Sequence, residues 1–569
     1  RQTSTTSGAP IVIGGGAATT RAFNSVSFSA PIGNVQANNV MAAVALGSSS
    51  TISATISAGV GDISIAARGF NGSTLVSSGR SAINTTLGSI TISAVTPAGT
   101  LASTAVDFGS QAVDIRSVNG NILIIGEFQG TQNQSGISLG AGSIFTTGTG
   151  NIELRGQTKT GQPAIAMGSA SVGSFAGDTF FNALRGSVNL GSGKLGADSP
   201  RLVTSSGNIR ILAEDIVASS SASIRSTGNL VVEPVAADFA NGFNWAVNQA
   251  SGRLASVRIG KSTTPSLASP KPIYFLSGLS AVGDVELYGG LLDFATAGRA
   301  QSSQGNVKII AKDVTAGSFI GADAGNIQIT SDTFYMGSTN TFSALAGAIE
   351  ISSLTPGRSI ELRDSGIDFS KLTITSGELN RMSSAFLRIG SDSAGSVAIN
   401  TDLVRDQVGK DSLTIRSASN VQTGTRISTG LTAQLNIRKL AIRAGGIINI
   451  LSSRTSGGAN SIALNSTNLS PGAASYTQLS SYSPTVSDGI TPVFGIPTVL
   501  TATNVPEVEN KVVYQNSTLT PAPVVRFADA YSNNINAFNT NKFIIVFKII
   551  SRALCPPYSL FDFLNESFF

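Results

Sequence analysis

Gly207-Asn-Ile-Arg-Ile211 is followed 21 residues later by Gly228-Asn-Leu-Val-Val232. Each segment opens on a glycine and a small polar residue, then alternates apolar with polar positions. Upstream the pattern occurs at Gly61-Asp-Ile-Ser-Ile65, Gly88-Ser-Ile-Thr-Ile92, Gly120-Asn-Ile-Leu-Ile124, Gly150-Asn-Ile-Glu-Leu154 and Gly186-Ser-Val-Asn-Leu190. Downstream it returns at Gly283-Asp-Val-Glu-Leu287, Gly305-Asn-Val-Lys-Ile309, Gly325-Asn-Ile-Gln-Ile329, Gly347-Ala-Ile-Glu-Ile351 and Gly395-Ser-Val-Ala-Ile399. From Gly186 many steps are 20–22 residues, and earlier ones are 27–36. A short period with occasional insertions marks a solenoid.

Alternation with period 2 puts Ile, Val and Leu on one side of a strand and polar residues on the other. Helical periodicity is nearly absent, and the β-branched residues favour strands. One such strand cannot bury its apolar side alone. Stacking successive coils about 4.8 Å apart buries it in a continuous column and pairs the backbone with the coils on either side. The expected fold is all-β, a right-handed parallel β-helix with loop insertions and an irregular C-terminal region. Ile209, Ile211, Ile327, Ile329, Ile349 and Ile351 should point inward, and Gly-Asn and Gly-Asp should supply positive φ at the corners. A β-sandwich also has short alternating strands, but it does not explain a Gly-led pentapeptide returning at this period. A longer repeat is superimposed. Leu254-Ala-Ser-Val-Arg-Ile-Gly-Lys-Ser262 matches Ala385-Phe-Leu-Arg-Ile-Gly-Ser-Asp-Ser393, with Gly260 and Gly390 130 residues apart.

The composition excludes several functions. The 569 residues carry 37 Lys+Arg and 32 Asp+Glu, a net charge of +5, and the charged fraction is only 12%. There is no His, which removes Ser-His-Asp and Cys-His catalysis, HExxH sites and His-bearing zinc sites. Cys555 is the single cysteine, so no intramolecular disulfide forms. No block of five Lys/Arg occurs, which leaves nucleic-acid binding without electrostatic support. Residues 1–30 lack signal-peptide order, and a first residue Arg1 is expected of a processed chain or a fragment. No stretch reaches the roughly 18 apolar residues of a membrane helix; Phe543–Ile550 is short and contains Lys548.

The runs Gly347-Ala-Ile-Glu-Ile-Ser-Ser-Leu-Thr-Pro-Gly-Arg-Ser-Ile-Glu-Leu362, Glu378-Leu-Asn-Arg-Met-Ser-Ser-Ala-Phe-Leu-Arg-Ile-Gly-Ser391 and Leu440-Ala-Ile-Arg-Ala-Gly-Gly-Ile-Ile-Asn-Ile450 resemble repeats of large filamentous haemagglutinin-like exoproteins, as does Val285-Glu-Leu-Tyr-Gly-Gly290. The resemblance covers roughly residues 120–470. It implies a right-handed parallel β-helix in a secreted, surface-displayed filament, linked to adhesion and exported through an outer-membrane transporter. An amino-terminal two-partner secretion domain, usual in that family, is not recognisable here, as expected of an internal fragment.

Residues 1–485 read as the repeat domain and 486–542 as an irregular linker or the end of the stack. From near residue 484 onward Pro484, Pro492, Pro497, Pro506, Pro521 and Pro523 interrupt the pattern, since proline removes a ladder donor. Residues 543–569 are aromatic-rich and read either as a cap on the last coil or as a reading-frame artefact.

Parallel β-helices also carry polysaccharide lyases and hydrolases, which need carboxylates, or a carboxylate beside Arg or Lys, converging on one face. The densest candidate is Asp402, Arg405, Asp406, Lys410 and Asp411, with a solvated corner loop as its ordinary explanation. Glu214-Asp215 and Arg363-Asp364 are isolated pairs. Calcium loops with repeated Gly-Gly-x-Gly-x-Asp are absent. Gly14-Gly-Gly16 lacks the continuation of a phosphate loop. Trp245 suits packing in a loop insertion better than an exposed sugar contact. Short Thr51-Ile-Ser and Thr91-Ile-Ser segments hint only locally at an ice-binding array. No catalytic, cofactor-binding or metal-binding residue is assigned and no cofactor is expected. The expected function is structural and adhesive, toward a host or neighbouring cell surface, glycans included, with a carbohydrate-active enzyme as the alternative. At ~22 residues per coil, about 20 coils would make a rod on the order of 100 Å long.

Overall fold

The computed structural model describes residues 54–449 with short gaps, among them 197–204, 262–270 and 406–411, together with isolated strands nearer both ends. Among the described residues every ladder up to Asn468–Leu469 is parallel, and a single five-residue α-helix, Ser376–Asn380, occurs. The molecule is a parallel β-helix.

Each coil contributes strands to three faces. On the first face the Gly-led strands stack in register, so that Ile63, Ile90, Ile122 and Ile152 form one inward column. The column continues through Thr179, Ile209, Leu230, Val257, Val285, Val307, Ile327 and Ile349. Ile211, Ile329 and Ile351 lie in the adjoining column, and all six isoleucines expected inside are buried. A third column, Ile56–Ile83–Ile115–Ile144–Val172–Leu195–Ile224, lines another face. Each fully buried side chain of this size stabilises the fold by about 1.5–3 kcal/mol.

The corner glycines do a different job from the one expected. Gly88, Gly120, Gly207, Gly325 and Gly347 do not have positive φ. They stack directly on one another, and a Cβ on Gly120 would sit 1.8 Å from the Gly88 carbonyl oxygen. On Gly207 it would sit 1.8 Å from that of Gly177, and on Gly325 2.0 Å from that of Gly305. Glycine is needed because two backbones approach, not because the chain turns left-handed.

Two ladders tie this corner together. Inside, the Ser117 hydroxyl accepts from Gly120 N–H (2.9 Å) and donates to the Gly88 carbonyl of the preceding coil (3.1 Å). Ser174, Ser226 and Ser302 repeat that bridge. Outside, the Asn208 amide donates to Asp178 Oδ1 (2.8 Å), and Asn229 donates to Asn208 Oδ1 (2.8 Å). Asp284, Asn306 and Asn326 form a second run of the same kind. Gly61-Asp62 and Gly283-Asp284 therefore belong to corner ladders, with Asp62 accepting from Ser89 N–H (2.7 Å).

Two copies of the motif are reassigned. Gly186-Ser-Val-Asn-Leu190 lies on the second face, where Val188 pairs with Ile216; Gly186 has φ +100°, and the corner glycine of that coil is Gly177. Val397–Asn400 likewise pairs with Ile360–Arg363 and Val421–Thr423, away from the first face. The longer repeat survives in detail. Gly260 directly follows the first-face strand Val257–Ile259 and Gly390 ends the strand Met382–Gly390, both with φ +87°, and a Cβ on either would lie 2.0 Å from a carbonyl oxygen of the next coil.

One coil departs from chain order. Leu372–Thr375 forms the edge of a sheet whose next members are Ile360–Arg363, Val397–Asn400 and Val421–Thr423. The chain therefore steps back before it advances again. Beyond the repeats, Val499–Thr503 pairs antiparallel with Val524–Ala528. Residues 543–569 lie outside the described residues.

Candidate functional site

Of the five charged residues singled out at 402–411, Asp402 and Arg405 are described, while Asp406, Lys410 and Asp411 lie outside the described residues. Asp402 accepts from Arg426 Nη1 at 2.6 Å. Arg405 is buried and donates to the Ser384 carbonyl of the preceding coil at 2.6 Å. Asp402 precedes the strand Leu403–Arg405, on which Leu403 and Arg405 face inward and Val404 outward, and the two charged residues are engaged by different partners. The cavity beside them is about 20 Å³, lined by Leu379, Leu387, Ile389, Leu403 and Leu413 with Asp402 and Arg405. That is room for about one water, not for a sugar ring.

The isolated pairs also hold neighbouring coils. Glu214 accepts from Gly186 N–H (2.8 Å), and Asp215 takes both N–H (2.7 Å) and the side-chain amide of Asn241. Asp364 accepts from the backbone and hydroxyl of Ser428. The Ser428 and Thr401 hydroxyls hold its carboxyl below the ordinary range. Arg363 faces Glu361 at 3.9 Å. Trp245 is fully buried, in register with Phe275 on a strand rather than in a loop insertion. Phe275 in turn stacks on Phe294 with ring centroids 4.7 Å apart.

Sequence reasoning missed a charge cluster that the register assembles among the described residues. Glu350, on an outward position of the first face, is buried between Arg388 (3.5 Å) and Arg416 (3.7 Å). Arg416 continues to Asp392 (3.2 Å), and Arg443 reaches the same carboxylate (4.0 Å). Nearby, Glu361 takes Lys371 (3.1 Å) and the Asn400 amide (2.7 Å). The hydrogen bond that Lys371 donates to Glu361 raises the Lys371 pKa. Asp368, beside it, is held down to about 2, chiefly by the Ser370 hydroxyl. Glu378 caps its helix by accepting from Thr375 N–H (2.7 Å) and also accepts from Met336 N–H (2.7 Å). Burial pushes that carboxyl above its ordinary value. Glu350–Arg388, Asp392–Arg416, Glu361–Asn400 and Glu378–Met336 are separated by a coil or more of sequence, so the register brings them together.

Carboxyl groups with raised pKa are candidates for proton transfer. Asp238 and Asp293 are raised, in both cases chiefly by burial. Asp238 is held by Phe239 N–H at 2.9 Å. Among the described residues no cluster of three potential metal ligands occurs, and no helix is long and apolar enough to cross a membrane.

The second face presents a different surface. Its outward residues stack one per coil, in the rows Asp107–Ser138–Ala166–Asn189–Val217 and Asn244–Tyr274–Asp293–Thr315–Tyr335. The two tyrosines are among the exposed residues. Their signal was present in Ile273-Tyr-Phe275 and Phe334-Tyr-Met336, where a polar aromatic sits between two inward apolar residues. No family model, no curated protein and no solved structure matches the chain.

Proposed function

We propose that the chain is a segment of a secreted or surface-displayed filamentous exoprotein, structural and adhesive, of the haemagglutinin-like kind that its repeats resemble. The observation that supports this reading is the unbroken outward row of the second face, which offers one weakly charged position per coil from Asp107 to Val217. Such a surface binds through many weak contacts, each multiplied by its neighbours. Its partner is a host or neighbouring cell surface, and the resemblance implies an outer-membrane transporter for export. The alternative, a carbohydrate-active enzyme, rests on Asp402 and its neighbours, and Asp402 is engaged by Arg426.

Beads coated with the full chain at graded density test the proposal. Cell attachment should rise steeply with density while the free monomer binds weakly. Attachment independent of density contradicts it, as does turnover of a glycan that disappears in D402N.

A further inference from the structure

Tyr274 and Tyr335 stand 37% and 46% exposed on one outward row. Three ladder steps separate them, through Asp293 and Thr315. At about 4.8 Å per step the rings are roughly 14 Å apart along the stack. Asn244 extends the row one step beyond Tyr274. The rings project from strands whose flanking residues Ile273, Phe275, Phe334 and Met336 are buried, so their backbone positions are fixed before any ligand arrives.

The chemistry of the row limits what fits. A peptide strand cannot add here by backbone pairing, because Pro272–Phe275 is already bonded to Phe243–Trp245 on one side and Val285–Phe294 on the other. Nucleic acid and other polyanions require cations, and the row holds a carboxyl group and no Lys or Arg. A protein interface would want a contiguous apolar centre, whereas polar Asp293 and Thr315 separate the rings. An extended, uncharged polymer with apolar ring faces and many hydroxyls matches all three conditions. Its ring faces pack on the tyrosines, and its hydroxyls bond to Asn244, Asp293 and Thr315.

We propose that the row Asn244–Tyr274–Asp293–Thr315–Tyr335 binds a neutral polysaccharide chain laid parallel to the stack. This rests on the adhesive reading and names its ligand. The raised pKa of Asp293, due to burial, fits a carboxyl that serves as a hydrogen-bond partner for a neutral ligand.

The test measures retention of the full chain on immobilised cellulose, xylan, chitin and a β-1,3-glucan, with heparin as the anionic control. Wild type should be retained by at least one neutral polymer. Y274A/Y335A should weaken that retention roughly tenfold, the equivalent of about 1.4 kcal/mol, with unchanged far-ultraviolet circular dichroism. Y274F/Y335F, which keeps both rings, should retain most of it. Retention by heparin alone, by none of the polymers, or undiminished in the alanine variant overturns the proposal. The two readings fail separately: wild type that is retained by a neutral polymer but attaches to no cells in the bead assay removes the adhesive reading alone, and wild type that attaches to cells while any of the overturning retention results is seen removes the polysaccharide row alone.

Discussion

Between Ser205 and Ser352 the coils meet at a corner built from stacked glycines, a hydroxyl ladder and an Asn/Asp ladder, and one ion bridge, Arg210–Glu233–Arg258, crosses the adjoining first face. Between residues 353 and 426 they are held largely by ions, with Glu361, Arg388 and Arg405 buried and Glu350 reaching across from the preceding coil. Several of these coils are 20–22 residues long, and there corner residues meet their own kind one coil away, Asn208 with Asn229 and Asn306 with Asn326, so that a single bridge satisfies both. The irregular stretch contains the out-of-order strand Leu372–Thr375 and the helix that follows it. Unlike groups face each other there, and long charged side chains reach across the mismatch. Regularity is maintained by copying a short motif, whereas an interruption requires specific partners.

The largest expected effect breaks the regular corner. Gly207→Val places side-chain carbon on the Gly177 carbonyl, and neither backbone can yield without shifting a coil. A loss of more than about 4 kcal/mol, the exceptional end of single substitutions, is expected, read as the urea midpoint of the flanking coils. A midpoint near wild type would show that the close approach is not real.

Glu350→Ala tests the irregular region. It leaves Arg388 and Arg416 without their shared carboxylate. Removing one partner of a buried ion pair costs about 3–5 kcal/mol. Hydrogen exchange should accelerate in Met382–Gly390 and Ser412–Ser417 more than in Val307–Ala316. Uniform or negligible acceleration would mean that the ions do not hold these coils.

Asn208→Ala removes one rung of the outer ladder, an exposed bond, and should cost only about 1 kcal/mol. A loss as large as that of G207V would invert the assigned roles of the two corner elements.

The smallest effect concerns pH. Burial places the Glu378 carboxyl above its unfolded value, so the folded chain binds that proton more tightly. Stability from this group therefore falls as pH rises from the unfolded pKa through the folded one. E378Q lacks that dependence. The stability of wild type relative to E378Q should shift toward wild type as the solution is acidified from neutral. A difference that ignores pH or moves the other way contradicts the burial argument.

Much of the fold was legible because the motif states its own alternation. Ile209 and Ile329 could be placed inside from spacing alone. The role of the corner glycines was not legible, because a left-handed turn and a close approach select the same residue. Gly186 and Gly395 carried the motif onto another face, since two faces use the same inward-outward period. Strands as short as Val106–Asp107 and Ile137–Ser138 leave no periodic signal. At the candidate cluster, sequence proximity joined Asp402 to Arg405, but register gives them different partners, Arg426 for Asp402 and the Ser384 carbonyl for Arg405. The Glu350–Arg388 contact spans 38 residues across the interrupted coil, so no local pattern announces it.

The central claim, parallel strands advancing one coil per ladder step, is tested most directly by spin-label distances. With Cys555 replaced by serine, labels at Glu153 and Lys308 stand six steps apart on one outward row, and labels at Arg210 and Lys308 stand four. At about 4.8 Å per step the expected separations are roughly 29 Å and 19 Å, in the ratio of the step counts. Equal separations, or distances that do not grow with the number of steps, would contradict the β-helix.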